Sequence, residues 1–248
     1  MPALSIGGYK YTATYLDDHS SYGVMFYLKN KSKEFTAFKT YKAWAKRQLN
    51  TTLKSRQFDE GWEFLSNEQK AYVAENRIEY QMSRPDSLQQ NGHVERFQQT
   101  IVNGAEAMQH HTALSNGFWI YAVKAMLHAY NVTPIKQADY KTEKELWSGK
   151  KLNISHLRVF GCLAWVKILK KRRHKLKLKC QEMIFVRYET GSKGYQFWDT
   201  AHQHFEISCD VKFEETQFPV KEMKLTQSTP VAARFLNEIM NPIHQDQT

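Results

Sequence analysis

The first thirty residues alternate between bulky and polar side chains. Bulky residues recur at every second position over Tyr9–Leu16, and an apolar run resumes over Val24–Lys29. A short polar segment separates the two runs, a pattern typical of two strands joined by a turn. We therefore predict a β-hairpin. Its turn contains Asp17 and Asp18, which more commonly bond the local backbone than bind a metal.

Helical spacing follows the hairpin. Four apolar side chains share one helical face, with Ser32 placed to cap the helix: Phe35, Phe38, Ala45 and Leu49. The next expected elements are a strand at Leu53–Phe58, a helix from a Ser66 cap to about Asn76, a strand at Ile78–Tyr80, an irregular stretch at Met82–Gly92, and a helix carrying Val94, Phe97, Ile101, Ala105 and Met108. This order predicts an α/β fold with a mixed sheet.

The second half of the chain changes from helical to strand-like patterns. A helix capped by Ser115 or Asn116 should stop before Pro134, and Thr142 with Glu145 forms a capping box for a short helix. Short strand-like runs separated by turns then predict a small β-barrel. They are at 158–166, 183–188, 194–198 and 205–213. We expect a core over 1–112, a helical connector over 113–153, a barrel over 154–216 and a loosely ordered tail over 217–248.

Composition limits the class of protein. The 248 residues contain 42% hydrophobic residues, enough for two cores. Neither an eighteen-residue apolar run nor a secretion signal pattern is evident, so we expect a soluble intracellular protein without a membrane partner. Three widely spaced cysteines, Cys162, Cys180 and Cys209, are expected to be buried free thiols. The ten histidines are scattered, and none is assigned a metal role.

Positive charge is concentrated in one segment. The net charge is +10, and residues 150–189 alone contain twelve Lys or Arg against two Glu. Seven basic residues fall within ten positions: Lys170, Lys171, Arg172, Arg173, Lys175, Lys177 and Lys179. This run predicts contact with nucleic acid, either DNA or RNA, with a solvated loop or a nuclear import signal as alternatives. The nearby Trp165, Tyr195, Phe197 and Trp198 either stack on bases or form the barrel core.

Two carboxylates are candidates for catalysis. Asp59 follows a predicted strand and Glu95 follows a predicted loop, with thirty-five residues between them. Both could therefore lie at one end of a sheet, where Mg²⁺ or Mn²⁺ would bind carboxylates and substrate phosphates. The preceding Gln90, Asn91 and Gly92 suit contacts with nucleic acid, and Arg96 could pair with a phosphate. A polar helix-capping loop is the alternative interpretation of this segment.

Several motifs in this order resemble the integrase of Ty1/copia-type retrotransposons. The motif Tyr15-Leu-Asp-Asp-His-Ser20 is similar to the hairpin turn of that family, and Asp59-Glu-Gly-Trp-Glu-Phe64 is similar to its Asp-x-Gly-Gly-Glu-Phe motif. Leu88-Gln-Gln-Asn-Gly-His-Val-Glu-Arg96 is similar to its Pro-Gln-Gln-Asn-Gly-x-x-Glu-Arg motif. Three later motifs are similar to its connector and SH3-like domain. They are Leu146-Trp-Ser-Gly-Lys150, His156-Leu-Arg-Val-Phe-Gly-Cys162 and Gly194-Tyr-Gln-Phe-Trp-Asp199.

The resemblance implies an RNase H-like core, a connector and a basic SH3-like barrel. It also implies that Asp59 and Glu95 are the second and third members of a catalytic triad that uses Mg²⁺ for DNA strand transfer. Nuclear localisation and assembly with further copies of the chain accompany this expectation.

Departures from the family lead us to expect impaired catalysis. The first triad aspartate of the family lies in an upstream motif that is not found in this sequence, so we expect an N-terminally truncated integrase. The family sheet would also lose its central strand, which would leave unpaired strand edges. We expect Trp62, which stands where the family has glycine, to crowd the approach of phosphate to Asp59, and the negative charge of Glu60 to repel it. The alternatives are a non-catalytic nucleic-acid-binding module and a non-functional transposon relic.

Overall fold

A computed structural model describes residues 3–58, 66–82, 88–168, 178–189 and 194–228. The chain divides into two compact units. The core unit comprises Met1–Ala107 with Asn116–Leu157, and the sheet unit comprises Met108–Ser115 with Arg158–Thr248. The four domain boundaries expected from the sequence stay a prediction.

The core unit mixes short strands with helices. Its strands are β1 (Tyr11–Leu16), β2 (Gly23–Leu28), β3 (Ser55–Phe58), β4 (Glu79–Met82), β5 (Pro134–Ile135) and β6 (Lys141–Thr142). Its helices are α1 (Glu34–Leu49), α2 (Asn67–Glu75), α3 (Leu88–Thr112), α4 (Trp119–Asn131) and α5 (Glu143–Ser148). The last residues of α3 belong to the sheet unit.

The predicted hairpin is present. Strands β1 and β2 pair antiparallel, from Tyr11 opposite Leu28 to Leu16 opposite Gly23. In the turn, Oδ2 of Asp17 accepts hydrogen bonds from the backbone N–H of Ser20 at 2.8 Å and from its hydroxyl at 2.7 Å. The turn-forming interpretation of Asp17 is therefore confirmed.

Helix α1 covers the hairpin and supplies much of its core. Phe38, Tyr41 and Ala45 are buried, and the Tyr41 ring stacks on Tyr15 of β1 with centroids 4.6 Å apart. The predicted Ser32 cap is wrong, because Ser32 lies in a 3₁₀ turn at Lys31–Lys33 and Lys33 precedes the helix without a side-chain cap. Burial of an apolar face therefore outweighs capping at this helix start.

The predicted Ser66 cap and the predicted capping box at Thr142 are both present, and the Ser66 cap is also a full capping box. The side chain of Ser66 accepts from the backbone of Gln69 at the start of α2, and Thr142 accepts from Glu145 at the start of α5. In each box the side chain at the third helical position also bonds back to the cap residue. These local bonds explain why the two helix starts were predictable from the sequence.

The described strands of the core form separate pairs. Strands β3 and β4 run parallel, with α2 as the crossover between them, while β1 and β2 form their own antiparallel pair. Parallel and antiparallel pairing therefore both occur, as expected for a mixed α/β class. Arg56 of β3 forms an ion pair with Glu34 of α1 at 2.7 Å, and its guanidinium lies over the Phe38 ring.

The irregular stretch predicted at Met82–Gly92 is wrong where the structure describes it, because Met82 ends β4 and residues 88–92 are helical. Residues 83–87 lie outside the described residues, and α3 already begins at Leu88. Gly92 is helical and is not among the residues with positive φ, so the left-handed freedom of glycine is not used here. One glycine costs a helix about 1 kcal/mol relative to alanine, too little to end a helix of 25 residues.

The sheet unit contains five antiparallel strands. They are β7 (Leu163–Lys167), β8 (Cys180–Tyr188), β9 (Tyr195–Asp199), β10 (His204–Ser208) and β11 (Val211–Glu214), and their spatial order is β10-β9-β8-β7-β11. Residues 158–162, predicted as strand, precede β7, and the predicted run 205–213 divides into β10 and β11. One face carries a buried cluster that includes Cys162, Val166, Phe185 and Phe197. The fold class expected from the sequence, a mixed α/β part followed by a small β domain, is confirmed.

Part of the expected loose tail is ordered. Helix α6 (Pro219–Ser228) follows β11, and Nζ of Lys224 donates to the carbonyl of Ala113 at 2.7 Å. Phe218 packs edge-on against His111, with ring centroids 4.5 Å apart. These contacts explain why the segment is helical, and residues 229–248 lie outside the described residues. No helix within the described ranges has both the length and the apolar character needed to cross a membrane.

Candidate nucleic-acid and metal site

Helix α3 carries the candidate carboxylate Glu95 on its solvent side. Phe97, Ile101 and Ala105 are buried and fix the other side of the helix in the core unit. Glu95 and Arg96 are exposed. Because Gly92 lies three and four residues before them, the three residues share one helical face. The structure therefore brings Gly92, Glu95 and Arg96 together on an accessible surface.

The anchor of this surface is the contact between Phe97 and β2. A Cβ atom built on Gly23 would lie 2.1 Å from Cζ of Phe97, so the ring occupies the space that any side chain at position 23 would need. Phe97 also packs against Tyr130 of α4, with ring centroids 5.1 Å apart. The helix that presents Glu95 is thus held against the β1–β2 hairpin.

Arg96 is oriented by its own helix. Its Nε–H donates to the carbonyl of Gly92 at 2.8 Å. A Cβ atom built on Gly92 would meet nothing within 4 Å, so this part of the surface is open. The backbones of Gln90 and Asn91 are helical, whereas their side chains lie outside the described residues.

The second candidate carboxylate, Asp59, follows β3 in the sequence. Strand β3 ends at Phe58, and Asp59 lies outside the described residues, as do Glu60 and Trp62. The meeting of Asp59 and Glu95 at one metal ion therefore stays a prediction. Glu95 is exposed, and its carboxylate offers an oxygen ligand of the kind that Mg²⁺ prefers.

The basic run connects two strands of the sheet unit. Lys170, Lys171, Arg172, Arg173, Lys175 and Lys177 lie outside the described residues, and Lys179 is exposed. Ile168 lies shortly before the run and Lys179 is its last basic residue. The backbone N–H of Ile168 donates to the carbonyl of Lys179 at 2.9 Å. This bond extends the pairing of β7 with β8, so the basic run occupies a strand-to-strand connection as predicted.

The aromatic side chains beside the basic run belong mainly to the core. Phe197 is fully buried, Trp198 is 8% exposed, and Tyr195 packs on the same cluster. For these three residues the core interpretation is confirmed. Trp165 is half-buried and lies opposite Glu182 on one neighbouring strand and Lys212 on the other.

Comparison with known proteins gives sequence relatives that cover most of the chain. The Retrovirus-related Pol polyprotein from transposon TNT 1-94 of Nicotiana tabacum is 32% identical over 213 residues, which is 86% of this chain and 16% of that protein. The Retrovirus-related Pol polyprotein from transposon RE1 of Arabidopsis thaliana is 26% identical over 227 residues, 92% of this chain and 15% of that protein. The model of the retroviral polymerase SH3-like domain matches residues 162–226.

The chain is related to the Pol polyproteins of Ty1/copia-type retrotransposons. The resemblance to this family, which was inferred from the ordered motifs of this integrase-related chain, is thereby confirmed. The SH3-like match begins one residue before β7 and includes all five strands of the sheet unit. The chain spans only about a sixth of the length of these polyproteins.

Two solved structures overlay on the integrase-related chain with low scores. One is the simian T-cell lymphotropic virus intasome in complex with PP2A regulatory subunit B56 gamma, with a TM-score of 0.45, 14% identity, and coverage of 82% of this chain and 71% of that chain. The other is the HTLV-2 integrase catalytic core domain in complex with magnesium, with a TM-score of 0.41, 19% identity, and coverage of 54% and 81%. At these scores the overlays do not by themselves establish a shared fold.

Sequence patterns missed a buried carboxylate in the integrase-related chain. Glu143 is 5% exposed, and its Oε2 has no hydrogen-bond partner within the described residues. Burial raises the pKa of Glu143 to about 6. It lines a cleft of about 360 Å³ together with Tyr130, Ile135 and Lys136. The capping box explains the helix start at this position, but nothing in the sequence indicates that Glu143 is buried.

Histidines and cysteines also differ from expectation. Nε2 of His128 lies 3.1 Å from Nε2 of His156, and burial, with Lys144 and His156, lowers the pKa of His128 to about 4. All three cysteines are free, but only Cys162 is buried, and Cys209 is exposed. Cys209 lies between β10 and β11, where the predicted continuous strand is interrupted. The expectation of buried free thiols is therefore correct for Cys162, only partly met by the half-buried Cys180, and wrong for Cys209.

Proposed function

We propose that this integrase-related chain binds DNA through the basic run between β7 and β8 and through the exposed face of α3. The observation that carries the proposal is the relationship to retrotransposon Pol polyproteins over 86% of the chain. The concentration of basic residues in one connection of the SH3-like sheet supports it, because neutralising phosphates is the main source of nucleic-acid affinity. The proposal includes a nuclear location and assembly with further copies of the chain.

The proposed chemistry follows from residue types on α3 and after β3. Asp59 and Glu95 would hold Mg²⁺ or Mn²⁺, which when bound stabilises charge on phosphate oxygens during an in-line displacement. Arg96 would bind a phosphate next to this site. Its bond to Gly92 uses only Nε–H, and a guanidinium has five N–H donors.

We expect binding without DNA strand transfer by these 248 residues alone. Related integrases use three carboxylates, and only Asp59 and Glu95 of this sequence match that triad. The second candidate function is therefore a nucleic-acid-binding module without catalysis, which the density of positive charge at Lys170–Lys179 favours. The two candidates share the binding surface and differ only in strand transfer.

A salt titration with charge-matched variants tests the binding surface. Fluorescence anisotropy with a short DNA duplex should give an affinity whose logarithm falls linearly with the logarithm of NaCl concentration. The double variant Lys170→Gln/Lys171→Gln should reduce the magnitude of the slope by up to about 1.8, from roughly 0.9 for each phosphate contact. The same titration with single-stranded RNA identifies the preferred nucleic acid.

The control removes the same charge from another surface. Lys46 and Arg47 are exposed near the end of α1, so Lys46→Gln/Arg47→Gln lowers the net charge equally. Its slope should match that of the unmodified protein. A slope near zero in the unmodified protein, or equal losses in both double variants, would contradict the proposed surface.

A further inference from the structure

The turn between β9 and β10 brings together an aspartate and two histidines that the proposed DNA binding does not use. Asp199 is the last residue of β9, His204 is the first residue of β10, and the two are direct partners across the strands. His202 lies in the turn between them. One ligand atom from each residue lies within 4.8 Å of the other two.

The two oxygens of the Asp199 carboxylate have different hydrogen-bond partners. Oδ1 accepts from the backbone N–H groups of Ala201 and His202 at 2.8 and 3.1 Å, and these bonds hold the turn. Oδ2 accepts from the side-chain amide of Gln181 on β8. The same Oδ2 lies 2.7 Å from Nδ1 of His202 and 3.7 Å from Nδ1 of His204. Asp199 is only 1% exposed, so a buried oxygen faces both imidazoles.

These separations are close to those required at one metal ion. Two ligands of a tetrahedral zinc, each bonded at about 2.0–2.2 Å, lie roughly 3.3 Å apart. The two distances from Oδ2 fall on either side of that value, so shifts of about half an ångström would bring Nδ1 of each histidine to the separation from Oδ2 that two ligands of one ion have. Such shifts are accessible because the His202 and His204 side chains are 70% and 46% exposed.

A second carboxylate lies behind His204. Nε2 of His204 is 3.7 Å from Oε2 of Glu206, while Nδ1 of the same ring faces Asp199. A metal-binding histidine usually donates its other N–H to a carboxylate, which fixes the ring orientation and tautomer. Glu206 is placed to act in this way on His204.

We propose that Asp199, His202 and His204 bind one zinc ion or a similar transition metal, with Glu206 as a positioning residue. Two imidazoles and one carboxylate favour zinc, cobalt, nickel or copper over magnesium, which prefers oxygen ligands alone. The site is therefore chemically distinct from the proposed centre at Asp59 and Glu95. The exposed histidines leave the fourth coordination position open to water.

Isothermal titration calorimetry of the untagged chain with ZnCl₂ tests this site. The unmodified protein should bind zinc, and His202→Ala should weaken binding by roughly tenfold or more through loss of a direct ligand. Asp199→Asn should also weaken it, because the amide keeps the Oδ1 acceptor of the turn but replaces the anionic ligand. A large excess of MgCl₂ should not displace the zinc.

Two further variants test whether zinc binds at this site and not at other histidines. His19 is exposed in the β1–β2 turn of the core unit, so His19→Ala should keep the zinc affinity of the unmodified protein. Glu206→Ala should lower the affinity by about 10- to 100-fold, the usual effect of losing the partner of a metal-binding histidine. Circular dichroism without zinc checks that each variant is folded.

His202→Ala is the decisive substitution, because a side chain that is 70% exposed contributes little to the packed core. At one zinc concentration, zinc should also raise the melting temperature of the unmodified protein more than that of His202→Ala. Equal zinc affinity in the unmodified protein and His202→Ala, or an equal loss in His19→Ala, would overturn the proposal.

Discussion

The buried side-chain amide of Asn131 bonds both backbone groups of Gly23, although the two residues are 108 positions apart in the sequence. Oδ1 of Asn131 accepts from the Gly23 N–H at 3.0 Å, and Nδ2 donates to the Gly23 carbonyl at 2.8 Å. The Asn131 side chain at the end of α4 thus provides hydrogen-bond partners for both backbone groups of Gly23, the first residue of β2. The same glycine receives the ring of Phe97, so the position of α3 depends on this part of the hairpin.

Replacing Asn131 by alanine should destabilise the protein. The change leaves the N–H and carbonyl of Gly23 buried without their partner, which costs about 2–4 kcal/mol for the two groups. Urea unfolding followed by circular dichroism measures the free energy of unfolding. The matched control is Asn103→Ala on the exposed side of α3, which should change stability by less than about 0.5 kcal/mol. Equal stability of the two variants would show that the amide of Asn131 is not needed.

Adding one methyl group at Gly23 should be poorly tolerated. In Gly23→Ala the new Cβ would approach Phe97 to 2.1 Å, and Phe97 is only 3% exposed and cannot move aside. Overpacking of this kind costs about 1–3 kcal/mol. Combining it with Phe97→Leu should cost less than the sum of the single changes, because the smaller side chain vacates the contact. Additive losses in a double-mutant cycle would argue against this contact.

Gly92→Ala provides the matched control for Gly23→Ala. Apart from its chain neighbours and the backbone of its own helix, no atom of the described residues lies within 4 Å of its added Cβ, and the residue is helical. Thermal unfolding should show a gain of about 0.5–1 kcal/mol, the usual difference between alanine and glycine inside a helix. A loss of stability would instead favour the irregular loop expected from the sequence.

Glu143 should make stability depend on pH. Its pKa is raised by burial from 4.5 to about 6 in the folded protein, so the folded state retains a proton that the unfolded state releases. Stability should therefore be highest below about pH 4.5 with respect to this group and should fall by about 1–2 kcal/mol as pH rises through 6. Above that range the lost stability is not recovered.

Comparing urea unfolding at pH 4.5 and 6.5 isolates this contribution. Glu143→Gln removes the titrating group while keeping its shape, so the difference between the two pH values should shrink by the same 1–2 kcal/mol. Glu106→Gln, an exposed substitution on α3, should leave the difference unchanged. An unchanged pH dependence in Glu143→Gln would mean that Glu143 titrates alike in both states.

Glu95 should contribute to divalent-metal binding if the proposed centre exists. Titration of Mn²⁺ monitored by electron paramagnetic resonance should show weaker binding in Glu95→Gln by roughly tenfold, because one of very few ligands is lost. Glu106→Gln on the same helix should not change the affinity. In a strand-transfer assay the unmodified chain should give no product. Product that disappears only in Glu95→Gln would contradict the expectation of impaired catalysis.

Local patterns predicted the elements whose causes are local. The capping boxes at Ser66 and Thr142 and the turn at Asp17 each depend on bonds within three residues, so the sequence was sufficient to locate them. The start of α3 was missed because Gly92 and the preceding amides are common in loops. The apolar spacing that predicts this helix begins only at Val94, so it does not indicate that the helix extends back to Leu88.

Long-range contacts were beyond the reach of sequence patterns. The burial of Glu143 and the bonds between Asn131 and Gly23 depend on residues that approach only after folding. The grouping of Asp199 with His202 and His204 depends on strand register, which brings position 204 opposite position 199. The predicted meeting of Asp59 with Glu95 has the same dependence on tertiary structure.

The backbone hydrogen bond between Ile168 and Lys179 extends the pairing of β7 with β8 to the two ends of the connection that carries the basic run. We therefore expect changes of length or charge within residues 169–177 to leave the pairing of β7 with β8 in place. The proposed binding of a polyanion and the stability of the five-stranded sheet are consequently expected to be separable in this chain. Mutation can tune one of them while leaving the other intact.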